Sequence, residues 1–200
     1  MWLSHDGKRP TVHPSCRVAP NAVICGDVTI GANCSIGFGA VLTAESGPIA
    51  IGANCIVMDT AVIRGVRYSP VRIGDNVLIG PRACLTGCEI AENAFIATGA
   101  TVFNGARIGP GAEVRINGIV HIRTALPADA VVPLGWIAVG DPAEILPPEK
   151  HERIWDIQKT LDFPKFVFGV ERPPEGESMM PAVMQRYARS LSRHLNDDDI

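Results

Sequence analysis

An aliphatic residue recurs every six positions through most of the chain. The first run is Val12, Val18, Ile24, Ile30, Ile36 and Leu42, and the longest runs from Ile90 to Val132. Glycine often stands one place after the aliphatic residue, and alanine or another small residue often stands four places after it. A period of six matches neither an α-helix nor an isolated strand. It is typical of a short strand followed by a turn, repeated so that three strands close one triangular coil.

A single coil of this kind cannot bury its own apolar side chains, so its stability depends on the coils stacked on either side. The aliphatic residues are expected to fill the interior, with coils about 4.8 Å apart, the usual distance between strands. Short excursions interrupt the register at residues 47–50 and 67–72. We therefore predict an all-β solenoid, a parallel β-helix of hexapeptide repeats, over residues 12–146, after an N-terminal lead-in at residues 1–11.

The period changes after Leu146, where Pro147-Pro148 opens a helical segment. A second helix is predicted to start after Ser178. Its apolar residues at helical spacing are Met180, Val183, Met184, Tyr187 and Leu191. We predict a C-terminal helical extension over residues 147–200 that packs on the solenoid or against a neighbouring subunit. Residues 196–199 are expected to form a frayed, solvated tail.

Composition narrows the possible partners. Apolar residues make up 46% of the chain, the net charge is −3, and no long basic block occurs. A nucleic acid or an acidic membrane is therefore not expected as a partner. Neither a signal peptide nor an apolar stretch of about 20 residues is found, which predicts no membrane span. Six cysteines without an export signal favour a cytoplasmic location with reduced thiols.

The positions of the cysteines and histidines along the sequence predict no metal cluster. Cys16, Cys34 and Cys55 occupy the small-residue position of successive coils, where we expect buried apolar packing. Four histidines are scattered along the chain and predict no shared ligand set: His5, His13, His151 and His194.

Several short motifs resemble the γ-carbonic anhydrases of the hexapeptide-repeat, or isoleucine-patch, superfamily. They are Gly47-Pro48-Ile49, Ile73-Gly74-Asp75-Asn76, Gly87-Cys88 and Gly140-Asp141-Pro142-Ala143. The resemblance spans roughly residues 12–146. It implies a left-handed coil, a homotrimer, and an active site in the cleft between subunits.

The family holds zinc with three histidines, and the matching positions here are Arg64, Pro81 and Thr86. Proline has no side-chain donor, a neutral hydroxyl is a poor one, and arginine is permanently charged. We therefore predict no zinc at the family position, no zinc-hydroxide hydration of carbon dioxide, and no other cofactor. Of the family's polar residues, Asp59 is kept, and Glu45 stands where an aspartate is implied.

Counting hexads in threes places six outward residues in one column on one face. They are Cys25, Thr43, Arg64, Thr86, Phe103 and His121. We hypothesise a site for a carboxylate- or phosphate-bearing small molecule, lined by Thr43, Glu45 and Thr86. Arg64 and Arg82 would face the ligand, and Asp59 would orient Arg64 by a charge-assisted bond. The alternative is an interface salt bridge without a ligand.

Three functions remain open, because fold alone does not determine function. The first is a γ-carbonic-anhydrase-like homotrimer that binds or transforms a small anion at the subunit interface. The second is an acyltransferase dependent on coenzyme A, with His121 as general base; the short excursions, which carry no histidine, count against it. The third is a scaffold subunit, since outward apolar residues such as Val23, Val41 and Ile119 need cover.

Overall fold

The computed structural model describes residues 1–200 and is a left-handed parallel β-helix followed by a helical segment. The predicted solenoid is confirmed, with one short strand in each repeat. The strands are β1 (Trp2–Ser4), β2 (Thr11–Val12), β3 (Arg17–Val18), β4 (Val23–Cys25), β5 (Val28–Ile30), β6 (Ser35–Ile36), β7 (Val41–Ala44), β8 (Ile49–Ile51), β9 (Ile56–Val57), β10 (Val62–Gly65), β11 (Val71–Ile73), β12 (Leu78–Ile79), β13 (Cys84–Thr86), β14 (Glu89–Ile90), β15 (Phe95–Ile96), β16 (Thr101–Val102), β17 (Arg107–Ile108), β18 (Glu113–Val114), β19 (Ile119–Val120), β20 (Ala125–Leu126), β21 (Val131–Val132), β22 (Ile137–Val139), β23 (Glu144–Leu146) and β24 (Asp198–Asp199).

Every third strand joins the same sheet, which gives the triangular cross-section. Sheet 1 has ten strands in the spatial order β23-β22-β19-β16-β13-β10-β7-β4-β1-β24. Sheet 2 has seven strands, from β2 to β20, and sheet 3 has seven, from β3 to β21. The solenoid begins earlier than residue 12, because β1 already pairs in parallel with β4.

Aliphatic side chains stack through the interior, one from each coil. In sheet 1, Leu42 pairs with Ile24 on one side and with Ile63 on the other, and Ile63 pairs with Leu85. All four are fully buried. Each contributes about 1.5–3 kcal/mol through the transfer of its side chain out of water. The six-residue spacing therefore specifies which side chains form the core.

Asparagine ladders stabilise one corner of the coils. Asn33, Asn54, Asn76 and Asn93 adopt positive φ angles of 57–62°, which asparagine tolerates better than most residues. The Nδ2 atom of each donates to the Oδ1 atom of the next at 3.2–3.3 Å. The turns of successive coils are thereby held in register.

Cysteines fill the small-residue position of the core as predicted. Cys34 and Cys55 are buried, and Cys16 is half-buried. Burial raises the pKa of Cys34 to about 11, so its thiol is neutral at physiological pH. A neutral thiol packs as a small apolar group.

Two α-helices follow the solenoid, α1 (His151–Gln158) and α2 (Met180–Leu191). Short 3₁₀ turns lie at Pro148–Lys150, Lys159–Leu161 and Ser192–Asn196, and a π-helical turn at Pro164–Phe168. None of the helices has the length and apolar character that a membrane crossing requires.

The apolar stripe of α2 is only partly buried. Val183 is 2% exposed and Tyr187 is half-buried, so these two residues face the solenoid. Met180, Met184 and Leu191 are exposed in the single chain, so only part of the stripe packs on the solenoid. The stripe follows helical spacing, but a helix lying on a convex surface buries only a narrow line of side chains.

The prediction that residues 196–199 form a frayed tail is wrong. β24 pairs antiparallel with β1, with Leu3 opposite Asp199 and Ser4 opposite Asp198. The end of the chain therefore extends sheet 1 and covers the edge strand at its N-terminal end.

Candidate functional site

The predicted column exists and lies on the outer face of sheet 1. Thr43 pairs with Cys25 on one side and with Arg64 on the other, and Arg64 pairs with Thr86. Farther along, the ring centroids of Phe103 and His121 are 6.1 Å apart. The parallel register therefore places these side chains in a row.

Arg64 is held by one residue of the solenoid and one of α2. Its Nη2 atom donates to Oε2 of Glu45 and, at 2.6 Å, to the hydroxyl oxygen of Tyr187. Burial alone would lower the pKa of Arg64, but the bonds to Glu45 and Tyr187 raise it above the ordinary value. The guanidinium therefore stays charged, and its Nη1 and Nε atoms have no protein acceptor.

A cavity of about 630 Å³ lies between sheet 1 and the C-terminal segment. Arg64, Thr86 and Phe103 form part of its floor, and Tyr187 lies above them on α2. The cationic residues of its lining are Arg64, Arg67, Lys165, Arg186, Arg189 and Arg193. Glu45 is the one acidic residue of the lining, and its side chain is 4% exposed. The cavity is thus strongly positive in a chain of net negative charge.

Three of the predicted site residues lie outside this cavity. Thr43 borders a neighbouring cavity together with Cys25 and Asp197. Asp59 is exposed, and its Oδ1 atom accepts a hydrogen bond from the Phe38 amide at 2.7 Å, so it does not orient Arg64. Arg82 is exposed at a turn with φ of 59° and does not line the cavity. Asp59 and Arg82 both lie at corners where the chain passes from sheet 3 to sheet 1, just before the strands that carry the column. Glu45 takes the role that we assigned to Asp59.

The residues at the implied zinc position do not fit that ion. The Arg64 guanidinium occupies the place beside Glu45 and Tyr187 and presents positive charge there. Pro81 offers no donor, and Thr86 offers only a hydroxyl, whereas zinc in proteins prefers imidazole, thiolate or carboxylate. No chemistry through a zinc ion can be derived at this position.

His121 lies beyond Phe103 in the column and is partly buried. Its Nδ1 atom is buried without a hydrogen-bond partner. Burial lowers the pKa of His121 below the ordinary value, because the protonated ring is poorly solvated there. The neutral imidazole is therefore the main form at neutral pH.

This lowered pKa predicts a pH effect on stability. The unfolded chain binds the His121 proton at a higher pH than the folded protein does. The free energy of unfolding should therefore fall as the pH drops below about 6.5, the pKa of an unperturbed histidine. Urea denaturation between about pH 5 and pH 8 should show a smaller slope in His121→Gln than in the wild type. The exposed control His151→Gln should keep the wild-type slope; equal slopes in the two variants would contradict the assignment.

A second polar cluster joins residues that we expected to be scattered. The rings of His5 and His194 stack with centroids 4.2 Å apart. Asp197 lies 2.5 Å from Nδ1 of His5 and 2.7 Å from Nδ1 of His194, and it accepts a hydrogen bond from the Cys25 thiol at 3.4 Å. Burial and then the Asp197 carboxylate raise the pKa of Cys25 to about 12. The donor atoms of these four residues all lie within 4.8 Å of one another, close enough to hold a metal ion.

Sequence reasoning missed the contribution of α2 to the cavity. A signal was available, because Arg186, Arg189 and Arg193 recur at helical spacing beside Tyr187. The apolar residues of α2 were interpreted only as a packing face. No local signal in the sequence shows which part of the solenoid the helix would cover.

Comparison with known proteins supports the resemblance. The family profile described as bacterial transferase hexapeptide (six repeats) matches residues 9–44 and 70–104. The mitochondrial γ-carbonic anhydrase 2 of Arabidopsis thaliana is 31% identical over 153 residues, which are 74% of this chain and 53% of that protein. The carnitine operon protein CaiE of Escherichia coli K12 is 33% identical over 108 residues, which are 54% of this chain and 55% of that protein. The chain spans about half the length of the curated relatives it matches.

A solved structure agrees with the fold. The hexapeptide transferase family protein from Anaplasma phagocytophilum has a TM-score of 0.50 and 26% identity, with 94% of each chain covered. The matched repeats, the curated relatives and the stacked three-sided coils lead to one conclusion. The chain belongs to the hexapeptide-repeat superfamily and is a γ-carbonic-anhydrase-like member of it.

Proposed function

We propose that the protein binds a small carboxylate- or phosphate-bearing molecule in the cavity between sheet 1 and α2. The observation that carries this proposal is the excess of cations in the cavity lining, six against the single Glu45. Concentrated positive charge in a partly enclosed cleft attracts and retains anions.

Internal ion pairs do not neutralise this charge. Arg64 pairs with Glu45, Lys165 with Glu171, and Arg193 with Asp6. The other cationic residues of the lining form no ion pair with a carboxylate. They are Arg67, Arg186 and Arg189. Three cations, together with the two unused nitrogens of Arg64, therefore remain available to a ligand. Arginine suits carboxylate and phosphate because its donors match two oxygens at once.

The walls of the cavity favour an anion with a flat or apolar body. Tyr68, Phe103, Phe166 and Tyr187 all line it. The Arg67 guanidinium carbon lies 4.8 Å from the centroid of the Tyr68 ring, which shows that cations and rings are interleaved there. Ligand pockets commonly combine such apolar walls with a few charged groups that fix orientation.

Calorimetric titration with inorganic phosphate and with malonate tests the proposal. We expect millimolar or tighter binding, and at least about tenfold weaker binding in Arg186→Gln and in the double variant Arg64→Gln/Glu45→Gln. The double variant removes both partners, so no buried charge is left alone. Arg72→Gln is the matched control, because Arg72 lies on sheet 2 outside the cavity and its side chain is 63% exposed. No heat with either anion, or equal weakening in the control, would overturn the proposal.

We also propose that the chain forms a homotrimer through sheet 3. Outward residues of this sheet and its corner are large, apolar and exposed. They are Phe38, Ile56, Met58, Phe95 and Val131. Exposed apolar side chains of this size on one sheet favour self-association. The corner that carries Asp59 and Arg82 borders this surface, so these residues would lie close to a subunit contact.

Placing a charge on this surface should dissociate the trimer. Phe95→Glu would bury an unpaired carboxylate in the contact, which opposes association. Light scattering after gel filtration should give three times the chain mass for the wild type and about one chain mass for the variant. Thr29→Glu changes an exposed outward position of sheet 2 and should remain trimeric. A monomeric wild type would contradict the assignment.

Acyl transfer from coenzyme A is a second candidate, favoured by the state of His121. A neutral, partly buried imidazole can accept a proton from an acceptor hydroxyl or amine. When the protein is incubated with acetyl coenzyme A and a panel of small hydroxyl or amine acceptors, free coenzyme A thiol should appear. The rate of its release should be about 10²-fold lower, or lower still, in His121→Ala. Failure of acetyl coenzyme A to bind at millimolar concentration would remove this candidate.

A further inference from the structure

We propose that His5, Cys25, His194 and Asp197 bind one tetrahedral transition-metal ion of the zinc class, which clamps the two ends of the chain together. This site is separate from the family's zinc position and does not depend on the anion site. Its four donor atoms all lie within 4.8 Å of one another. His5 and Cys25 come from the first two coils of the solenoid, whereas His194 and Asp197 come from the segment after α2.

The chemistry of the donor set points to a zinc-type ion. Two imidazoles, one thiol and one carboxylate supply nitrogen, sulfur and oxygen, a combination that suits Zn²⁺ or Co²⁺. Calcium and magnesium prefer oxygen ligands alone. Four protein donors leave no open position, which is typical of a structural site rather than a catalytic one.

The hydrogen bonds of His5 indicate that a cation belongs beside its Nδ1 atom. Nε2 of His5 lies 3.0 Å from the Glu45 carbonyl oxygen, which can only accept. A neutral His5 must therefore carry its hydrogen on Nε2, leaving Nδ1 with a bare lone pair. That atom faces the Asp197 carboxylate at 2.5 Å, and two acceptors cannot share such a contact without a cation between them.

That cation is either a second proton on His5 or a metal ion. In metal sites the ligating histidine commonly donates its other N–H to a backbone carbonyl, which fixes the tautomer and the ring orientation. His5 already has this arrangement through Glu45. Its side chain is 3% exposed, so the surrounding residues fix the ring in this orientation. The thiol of Cys25 and the ring of His194 converge on the same carboxylate.

Seating the ion requires two movements of the terminal segment. Ligands at about 2.0–2.1 Å from a tetrahedral ion stand about 3.3 Å apart, so Asp197 must withdraw by roughly 0.6–0.8 Å from the two histidines. The His194 ring, which stacks on His5 with centroids 4.2 Å apart, must also turn so that both imidazole lone pairs point at the ion. Asp197 lies just before β24, on the short terminal segment that covers the edge of sheet 1. This segment can shift more easily than the stacked coils that carry Cys25.

The test uses untagged full-length protein, because a polyhistidine tag would bind zinc itself. The protein is stripped with EDTA, loaded with Zn²⁺, desalted and analysed for metal by mass spectrometry. We expect about one zinc per chain and a rise in Tm of about 5 °C over the stripped protein. Loading with Co²⁺ should give the visible bands of a tetrahedral ion and a near-ultraviolet band from sulfur-to-cobalt charge transfer.

Variants identify the ligands. Cys25→Ser should lose the charge-transfer band, and both Cys25→Ser and His194→Gln should bind zinc at least about tenfold more weakly. Cys84→Ser, a half-buried thiol on the same sheet, and the exposed His13→Gln should keep wild-type binding.

If a variant does not fold, the cobalt spectrum of the wild-type protein still tests the proposal by itself. Less than about one tenth of an equivalent of bound metal, a cobalt spectrum without the thiolate band, or equal loss in Cys84→Ser would each overturn it. Calorimetry with phosphate on the stripped protein separates a failure of this site from a failure of the anion site.

Discussion

Replacing Arg64 with alanine is expected to lower the free energy of unfolding by about 3 kcal/mol. The reason is the residue that stays behind. Glu45 is 4% exposed, and its carboxylate has no hydrogen-bond donor other than Arg64. Removing one partner of a buried pair leaves an uncompensated charge, which costs about 3–5 kcal/mol. We take the lower end because the Arg64 side chain is 32% exposed and water screens part of the interaction.

A double variant separates this effect from lost packing. Arg64→Ala/Glu45→Gln should recover part of the loss, because a neutral amide is far less costly to bury than a carboxylate. Urea denaturation of the wild type, both single variants and the double variant gives the coupling energy. Arg72→Ala is the matched control, since its partner Glu89 is 51% exposed and the pair should contribute at most about 1 kcal/mol. Equal losses in Arg64→Ala and Arg72→Ala would contradict the burial argument.

Replacing Gly65 with alanine is expected to cost about 3 kcal/mol and to weaken anion binding at the same time. A Cβ atom at this position would lie 2.2 Å from the Gly47 carbonyl oxygen and 2.9 Å from the Pro48 carbonyl oxygen. Both contacts are with backbone, which cannot rotate away as a side chain could. Relief would require β10 to move away from β7, and Arg64 is the residue directly before Gly65.

Gly7→Ala is the control for this variant. Gly7 has a φ of 71°, so alanine there is strained, but its Cβ atom would meet nothing within 4 Å. Its cost should be about 1 kcal/mol, from backbone conformation alone. Thermal or urea unfolding measures both losses, and calorimetry with phosphate measures the second effect of Gly65→Ala. If Gly65→Ala lowers the free energy of unfolding no more than Gly7→Ala does, the backbone at Gly65 can move away from Gly47 without cost, which would contradict this prediction.

The sequence predicted the column of outward residues on sheet 1, from Cys25 to His121. Strand pairing in a solenoid follows directly from the spacing of the hexads, so the row from Cys25 to His121 could be read from the numbering. The role given to Asp59 was wrong because that residue precedes the strand and lies at a corner, where its carboxylate caps the Phe38 amide. Neighbours along the chain are not neighbours on a face when a turn lies between them.

The hexapeptide period by itself determined the solenoid, its buried aliphatic stack and the neighbours of Arg64 within sheet 1, because each depends only on contacts between adjacent coils. Only the tertiary structure decided where the C-terminal segment lies. It placed Tyr187 on Arg64 and brought Asp197 to His5, 192 residues away along the chain. A repeat carries information about its nearest neighbours, whereas docking of a separate helix depends on the shape and charge of a surface that exists only after the coils have stacked.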